Sequence, residues 1–390
     1  MIILDKPYVS DFLVKTIIDM QIPVLKNNVA KGIIWPNGNL LLEEAEFIKQ
    51  YNQTAHPILY TNSENAINWI TNHLSNTHLP KKIQLFKNKV QTRELLRSTY
   101  PDFFFKEVNY DQLETMDIST IKKPFIIKPS VGFFSMGVYS VHNNQDWEIV
   151  LTDLRNGIKK LEGQYPPEVI NANKFIIEEN IEGEEFAVDV YYNQQGKPVI
   201  LNILKHIFSS DKDVSDRVYI TSKEIIEAYH SLFMKSLAHI GQLAELTNFP
   251  IHIEYRVNKN MQVIPIEVNP MRFAGWCTTD LAYYAYGINV YEYYIKQLEP
   301  DWKEILKDKK DKIYSIVVAD IPNNIETTEI DEIDYQRFYS HFNKVLEMRK
   351  IDYRLHPVFA FLFVETENNQ WIEIEQILMS DLREYIILKN

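Results

Sequence analysis

The stretch that most constrains this 390-residue chain is Ile251-His-Ile-Glu-Tyr-Arg-Val257, followed by Asn258-Lys-Asn260 and then Gln262-Val-Ile-Pro-Ile-Glu-Val268. Polar and apolar residues alternate with period two before a turn-forming tripeptide, and a second apolar-rich run follows it, which reads as an antiparallel hairpin. Alternation places His252, Glu254 and Arg256 on one face and Ile253, Tyr255 and Val257 on the other. On the partner strand Glu267 and Asn269 share a face, and Ile264, Ile266 and Val268 share the opposite one. If the two polar faces coincide, two carboxylates and an amide oxygen converge. Such hard oxygen ligands suit Mg²⁺ held jointly with nucleotide phosphates. A half-exposed hairpin with its polar side in solvent gives the same pattern. Pro265 is unusual within a strand and calls for an edge or a bulge.

A second segment carries chemistry of a different kind. Pro124-Phe-Ile-Ile-Lys128 reads as a strand running into Pro129-Ser-Val-Gly132-Phe-Phe-Ser135-Met-Gly137. Glycines permit close backbone approach, peptide N–H groups and a serine hydroxyl meet an anion, and Lys128 adds a point charge. The loop lacks the Gly-Lys-Ser/Thr of a Walker A motif and the G-x-G-x-x-G spacing of a dinucleotide fingerprint. Taken alone, it is equally an ordinary strand-to-strand turn.

Around these segments the chain alternates short apolar runs and turns. In residues 1–85, Ile2–Leu4, Gly32–Trp35 and Ile58–Tyr60 read as short parallel strands, with helices at 10–20, 41–51 and 63–75. Asn88 caps a helix through Lys89, Thr92, Leu95 and Leu96. Phe175–Glu178 is a further strand, and 187–192 with 198–204 forms a first hairpin about the turn Asn193–Gly196. Residues 222–246 carry helical periodicity. The charged run Lys303–Lys312 reads as a solvated segment. Beyond it the pattern gives a strand at 313–321, a helix near 332–349 and strands at 358–366 and 371–378, a separate α+β tail of about 80 residues.

Composition narrows the function classes. With 45% hydrophobic, 13% aromatic and 24% charged residues the chain packs as a globular protein. A formal charge of −12, from 41 basic and 53 acidic residues, argues against nucleic acid as a partner. A single cysteine, Cys277, precludes an internal disulfide and suits a reducing compartment, and without a partnered base it reads as a buried thiol rather than a nucleophile. The opening residues lack a secretory signal, and the seven-residue apolar stretch Val358–Val364 is too short for a membrane span. These features predict a soluble cytoplasmic protein with no membrane partner.

In order and spacing, Lys128 with its loop, Phe175-Ile-Ile-Glu-Glu-Asn-Ile-Glu-Gly-Glu-Glu-Phe186, Ile253-Glu254 and Ile266-Glu-Val-Asn-Pro270 resemble the ATP-grasp superfamily over about residues 1–298. The resemblance implies an α/β (α+β) ATP-grasp fold. A Rossmann-like pre-ATP-grasp unit at 1–85 is followed by two antiparallel-sheet subdomains, 86–176 and 177–300, clasping ATP. The 301–390 segment is then a small α+β extension, either covering the active site or forming a homodimer contact.

The resemblance also implies site residues. Lys89, with Lys87 as the competing choice, and Lys128 match the lysines that meet the ATP phosphates, under a lid holding Gly132, Ser135 and Gly137. Glu178, Glu179 and Ile181 belong to the linker beside adenine, and Glu185, rather than Glu184, matches the ribose carboxylate. Glu254, Glu267 and Asn269 match the Mg²⁺ ligands, with Mn²⁺ an admissible substitute. Lys205 sits where related enzymes place another basic residue near the γ-phosphate. Arg272 resembles the arginine that stabilises an acyl phosphate, although Met271 intervenes after Pro270. Phe133 and Phe134 make the lid unusually aromatic, either shielding the intermediate from water or packing the lid.

The implied activity is ATP-dependent joining of a small-molecule carboxylate to an amine through an acyl phosphate. The hairpin pattern resembles the amino-acid and peptide ligase branch, and Gly275–Asp280 with Gly287-Ile-Asn-Val fits that branch's substrate-side helix. A carboxylase-like or other phosphorylating ATP-grasp enzyme, and a nucleotide-binding subunit without catalysis, remain the alternatives. Substrate identity is left to the N-terminal unit, residues near 206–221 (Ser209–Arg217 being either a mobile loop over the acceptor site or an ordinary surface loop) and the region after Arg272.

Overall fold

The structure, a computed structural model, describes residues 1–34, 38–131, 137–161, 174–210, 215–367 and 370–389, with backbone alone for 157–161. The N-terminal region contains a parallel sheet of β1 (Ile2–Ile3), β2 (Val24–Leu25), β3 (Leu41–Leu42) and β4 (Tyr60–Thr61), in the order β3-β2-β1-β4. Helices Asp11–Asp19, Asn28–Ile33, Glu44–Gln53 and Ile67–His73 connect and flank these strands. The strand expected at Gly32–Trp35 is corrected as far as Ile34, Trp35 lying outside the described residues. Asn27 caps a helix there by accepting the Ala30 N–H at 2.8 Å. That local bond closes a helical turn which a short apolar run cannot oppose.

A second, antiparallel sheet consists of β5 (Phe105–Asn109), β6 (Phe125–Pro129), β7 (Tyr139–Val141) and β8 (Lys174–Glu179), in the order β5-β8-β6-β7. Helix Lys89–Leu95 precedes it, and Asn88 caps that helix by accepting from the N–H groups of Val90 and Gln91.

The third sheet has eight strands. Five of them are β9 (Glu184–Tyr192), β10 (Pro198–Ile207), β11 (Val218–Ser222), β12 (Phe249–Val257) and β13 (Val263–Pro270). The tail supplies β14 (Lys312–Asp320), β15 (Ile330–Ile333), β16 (Val345–Lys350), β17 (Val358–Glu367) and β18 (Ile386–Leu388). The sheet runs β13-β12-β9-β10-β11-β14-β17-β16, while β15 and β18 form a two-stranded ribbon. Helix Lys223–Leu243 covers one face, burying Phe233, Leu237 and Ile240, with Phe186 and Tyr255 against Phe233.

The tail is therefore not separate from the sheet, because β14 pairs with β11 through Val317↔Val218 and carries the hydrogen-bond ladder onward. Two of its elements differ from the sequence expectation. The segment near 332–349 is a helix, Tyr335–Ser340, followed by strand β16, and 371–378 is a helix, Ile372–Met379. The Ile-Glu-Ile-Glu alternation at 372–375 mimics a strand. Burial of Ile374, Ile377 and Leu378 follows helical spacing instead. Among the described residues no helix is long and apolar enough to cross a membrane.

Candidate active site

Strands β12 and β13 bring the acidic groups together. Glu254 lies directly opposite Glu267, and His252 opposite Asn269, in an antiparallel ladder. Between Glu254 and Tyr255 the register slips, so that Tyr255 faces Pro265 and Ile266 is the extra residue of a bulge. Pro265 is thus accommodated on an edge strand beside a bulge, where its missing N–H breaks no ladder. The bulge also corrects the predicted facing of Ile264. It lies opposite Arg256 and hence on the acidic side rather than with Ile266 and Val268.

Lys89 reaches this hairpin from the helix Lys89–Leu95, its amine 3.0 Å from Glu267. Burial disfavours the ammonium, but Glu267 outweighs it and holds the Lys89 pKa above the usual value. The competing choice, Lys87, pairs instead with Glu64. Burial acts to raise Glu267 as well; Lys89 and then Lys128 overcome it and keep the carboxyl ionised. Burial, opposed by His252 and reinforced by Glu267, pushes the Glu254 carboxyl upward. Two mutually repelling, partly buried carboxylates with an amide beside them favour a shared cation. Among the described residues no group of three His, Cys, Asp or Glu side chains could hold a metal. Glu254, Glu267 and the Asn269 amide are themselves hard oxygen donors, a set that fits an ion taking its remaining oxygens from phosphate and water, as Mg²⁺ does.

Lys128, at the end of β6, forms a 2.6 Å ion pair with Glu178 of β8. Arg93, one helical turn after Lys89, meets the same carboxylate at 2.7 Å and donates to the Pro265 carbonyl at 2.6 Å, its guanidinium lying over Phe103. Burial alone would raise the Glu178 pKa; Arg93 and Lys128 hold it down to about 2. Arg93 was not singled out by sequence. Its i, i+4 spacing from Lys89 was the available signal. Glu178 itself pairs with Phe105 on one side and Ile126 on the other. The Glu179 N–H donates to the Phe104 carbonyl. Asn180 and Ile181 are the first linker residues beyond the sheet.

Gly183 ends this linker at φ +134°, where a Cβ would run into the Val257 carbonyl. Its own carbonyl accepts from Arg256 at 3.0 Å. Glu185 follows on the acidic face, 2.7 Å from Arg256 and 3.0 Å from His206 Nδ1. Burial would raise the Glu185 pKa, and the His206 hydrogen bond and Arg256 lower it. Glu184 points to the other face, where it accepts from Tyr229.

Lys205 is a correction. Its register partner is Phe186, and its amine pairs with Glu184 on the face away from Glu185 and Glu254. The cause is a bulge between Ile200 and Asn202. An unbroken ladder would have set Lys205 opposite Glu185, and the extra Leu201 reverses its facing. His206 takes that side instead, its ring 4.2 Å from Tyr219 and its Nε2 2.9 Å from the Ser215 carbonyl. Within the expected loop Ser209–Arg217, Arg217 is fixed by Asp320 of the tail at 2.9 Å, and residues 211–214 lie outside the described residues.

Arg272 follows Met271, which adopts φ +69° with its side chain fully buried. Backbone bonds from Met271 N–H to Pro250 and from Thr61 N–H to Met271 hold that conformation. Arg272 is consequently turned toward the N-terminal region, 2.8 Å from Glu64, and donates to the Phe273 carbonyl. Burial acts against ionised Glu64, while Lys87 and Arg272 bring its pKa down to about 2. Cys277 is buried, and burial pushes its thiol pKa well up, consistent with an unreactive side chain.

Gly137 adopts φ +79° against the Pro129 ring. Gly132, Phe133, Phe134 and Ser135 lie outside the described residues. The structure thus gathers Lys89, Lys128, Glu185, Glu254, Glu267 and Asn269 about the two sheets, adds Arg93, His206, His252 and Arg256, and excludes Lys205.

Residues 121–280 match a family model described as an ATP-grasp domain. No curated protein sequence matches the chain. Among solved structures, an L-amino acid ligase from Bacillus licheniformis is 17% identical with a TM-score of 0.69, covering 100% of this chain and 98% of that one. An N5-carboxyaminoimidazole ribonucleotide synthetase from Thermotoga maritima is 13% identical with a TM-score of 0.63, covering 99% and 98%. The biotin carboxylase domain dimer of Hydrogenobacter thermophilus 2-oxoglutarate carboxylase, in complex with MgADP, ADP and bicarbonate, is 11% identical with a TM-score of 0.61, covering 100% and 90%. At these identities the likeness establishes the fold.

Proposed function

Because the chain is an ATP-grasp protein, we propose that it is an ADP-forming ligase that activates a substrate carboxylate as an acyl phosphate and joins it to an amine. The opposition of Glu254 and Glu267 across β12 and β13, with Lys89 on Glu267, carries this reading. The arrangement suits a nucleoside triphosphate, held through both its charge and its counter-ion.

In this proposal Lys89, Lys128 and the loop residues Gly132, Ser135 and Gly137 hold the phosphates. Linker peptide groups, at Asn180 and Ile181 beyond Glu178 and Glu179, meet the adenine edge, and Glu185 accepts from the ribose hydroxyls. Glu254, Glu267 and Asn269 hold Mg²⁺, which when bound neutralises phosphate charge; Mn²⁺ has similar oxygen preferences. A substrate carboxylate oxygen attacks the γ-phosphorus, and the β–γ bridging oxygen leaves with ADP. The amine nitrogen attacks the acyl carbonyl, the carbon–oxygen bond to phosphate breaks, and the amine proton passes to solvent. Arg272, braced by Glu64, faces the acyl phosphate. Catalysis rests on positioning and charge stabilisation, and no covalent enzyme nucleophile takes part.

The units 1–85 and 86–176, a third, 177–300, whose sheet the 301–390 extension continues, and a cytoplasmic location belong to the same reading. Amino acids or peptides are the leading substrates, supported by the hairpin pattern and in keeping with the fold shared with an L-amino acid ligase. The test is ADP release against panels of carboxylates and amines, with mass spectrometry of products. An amide product of the paired substrates supports the proposal. Bicarbonate-dependent turnover without an amide would replace it with a carboxylase, and Mg-ATP binding with no turnover would replace it with a nucleotide-binding subunit.

A further inference from the structure

Asp189 on β9 is fully buried and pairs in register with His252 on β12. Its Oδ1 accepts two bonds, from His252 Nδ1 at 2.9 Å and from the Ala274 N–H at 2.7 Å. Within 4.0 Å no lysine or arginine among the described residues offsets this carboxylate; His252 is its ionic partner. Its Oδ2 is buried with no hydrogen-bond partner among the described residues. A buried, incompletely satisfied carboxylate is a poor way to stabilise a sheet, since an apolar pair of similar volume often does so at least as well. Its presence therefore points to a task for the imidazole it holds.

The position of that imidazole identifies the task. His252 stands opposite Asn269 and two residues before Glu254 on the same face of the strand. With Nδ1 fixed by Asp189, the Nε2 edge is directed at Glu254 Oε1, 3.7 Å away. One ring thus spans from a buried anchor to a proposed metal-binding carboxylate. The same anchor also fixes the backbone at Ala274, two residues beyond Arg272.

We propose that Asp189 and His252 are positioning residues: Asp189 orients the imidazole, and its Nε2 edge holds the Glu254 carboxylate in the orientation that receives a divalent cation with nucleotide. The inference rests on the ligase reading of the site. At 3.7 Å the Nε2–Glu254 contact is electrostatic rather than a hydrogen bond, and loss of groups that orient metal ligands from behind weakens metal affinity about 10- to 100-fold.

Two amide substitutions separate the two edges of the ring. His252→Asn places a donor near the Nδ1 position and loses the Nε2 edge, whereas His252→Gln extends an amide toward the Nε2 position. Calorimetry of ATP binding across a Mg²⁺ series, with thermal melts of each protein, reads the outcome. For His252→Asn the expected result is a Mg²⁺ half-saturation point raised about tenfold or more, with ATP binding in chelator unchanged. His252→Gln, which keeps a group near the Nε2 position but not the Nδ1 anchor, recovers part of that loss even if its melting temperature is the lower of the two. Asp189→Asn shifts the Mg²⁺ point in the same direction as His252→Asn. A wild-type Mg²⁺ point in His252→Asn, or equal losses in both His252 variants, overturns the proposal. Failure of the wild-type protein to bind Mg-ATP at all overturns instead the ligase reading beneath it.

Discussion

The amine of Lys89 lies 3.0 Å from the carboxylate of Glu267, with both side chains largely shielded from solvent. In the proposed enzyme one of these groups meets phosphate and the other a divalent cation. Each ligand therefore replaces the partner that the other ligand displaces, and their binding is mutually reinforcing. Lys89→Met is expected to weaken ATP binding by about 1.5–3 kcal/mol, or ten- to a hundredfold in Kd. The thermodynamic coupling between ATP and Mg²⁺ should shrink with it. Calorimetry with and without Mg²⁺ measures both, and undiminished coupling would contradict the relationship.

Glu267→Gln removes one charge while conserving shape. The variant is expected to fold, with a circular dichroism spectrum like that of the wild type, and to produce no ADP. Loss of several kcal/mol of transition-state stabilisation corresponds to a rate fall of at least a hundredfold. Normal turnover would disprove the assignment.

Stability should fall in acid for an identifiable reason. Glu64 and Glu178 have pKa values held near 2 in the folded chain by paired cations, against an ordinary value of 4.5. A depressed folded pKa contributes stability above the unfolded value, and that contribution disappears as pH drops from about 4.5 toward 2. Each carboxylate accounts for on the order of 3 kcal/mol. Urea midpoints at pH 7, 5 and 3 should show little change over the first interval and a steep fall over the second. Replacing Glu178 with Gln should flatten the fall. An unchanged acid limb would refute the attribution.

Opposite outcomes are expected from two neighbouring residues on β10. Lys205→Ala removes a side chain on the face away from Glu185 and should leave the KM for ATP within about twofold, as for surface changes of less than 0.5 kcal/mol. His206→Gln disturbs the hydrogen bond that holds Glu185 and should raise the KM for ATP. Steady-state kinetics with varied ATP distinguishes them, and the reverse pattern would restore Lys205 to the site.

Gly183→Ala should be costly despite its small size. Its φ of +134° is strained for any side chain, and the added methyl meets the Val257 backbone. A loss of about 2 kcal/mol or more is expected in urea denaturation. Neutral behaviour would mean that the linker is free to move away from β12.

Much of the site was legible because strand periodicity is local. Alternation about Asn258–Asn260 placed Glu254 opposite the Glu267 strand, and Asn88 announced the helix that carries Lys89. Periodicity misled where it was brief, as at Ile372–Glu375, whose environment is that of a helix.

By itself the sequence determined the hairpins, the capped helix and the acidic composition of one sheet face, since each follows from bonds and steric preferences within a few residues. Only the tertiary structure decided which face Lys205 and Ile264 occupy, because single-residue bulges at Leu201 and Ile266 invert the parity of every position beyond them. It likewise decided the pairing of Arg93 with Glu178 and of Glu64 with Arg272, which lie 85 and 208 residues apart in the chain. Such long-range partners are chosen by packing and burial, where an unpaired charge is too costly to persist, and that selection leaves no local trace.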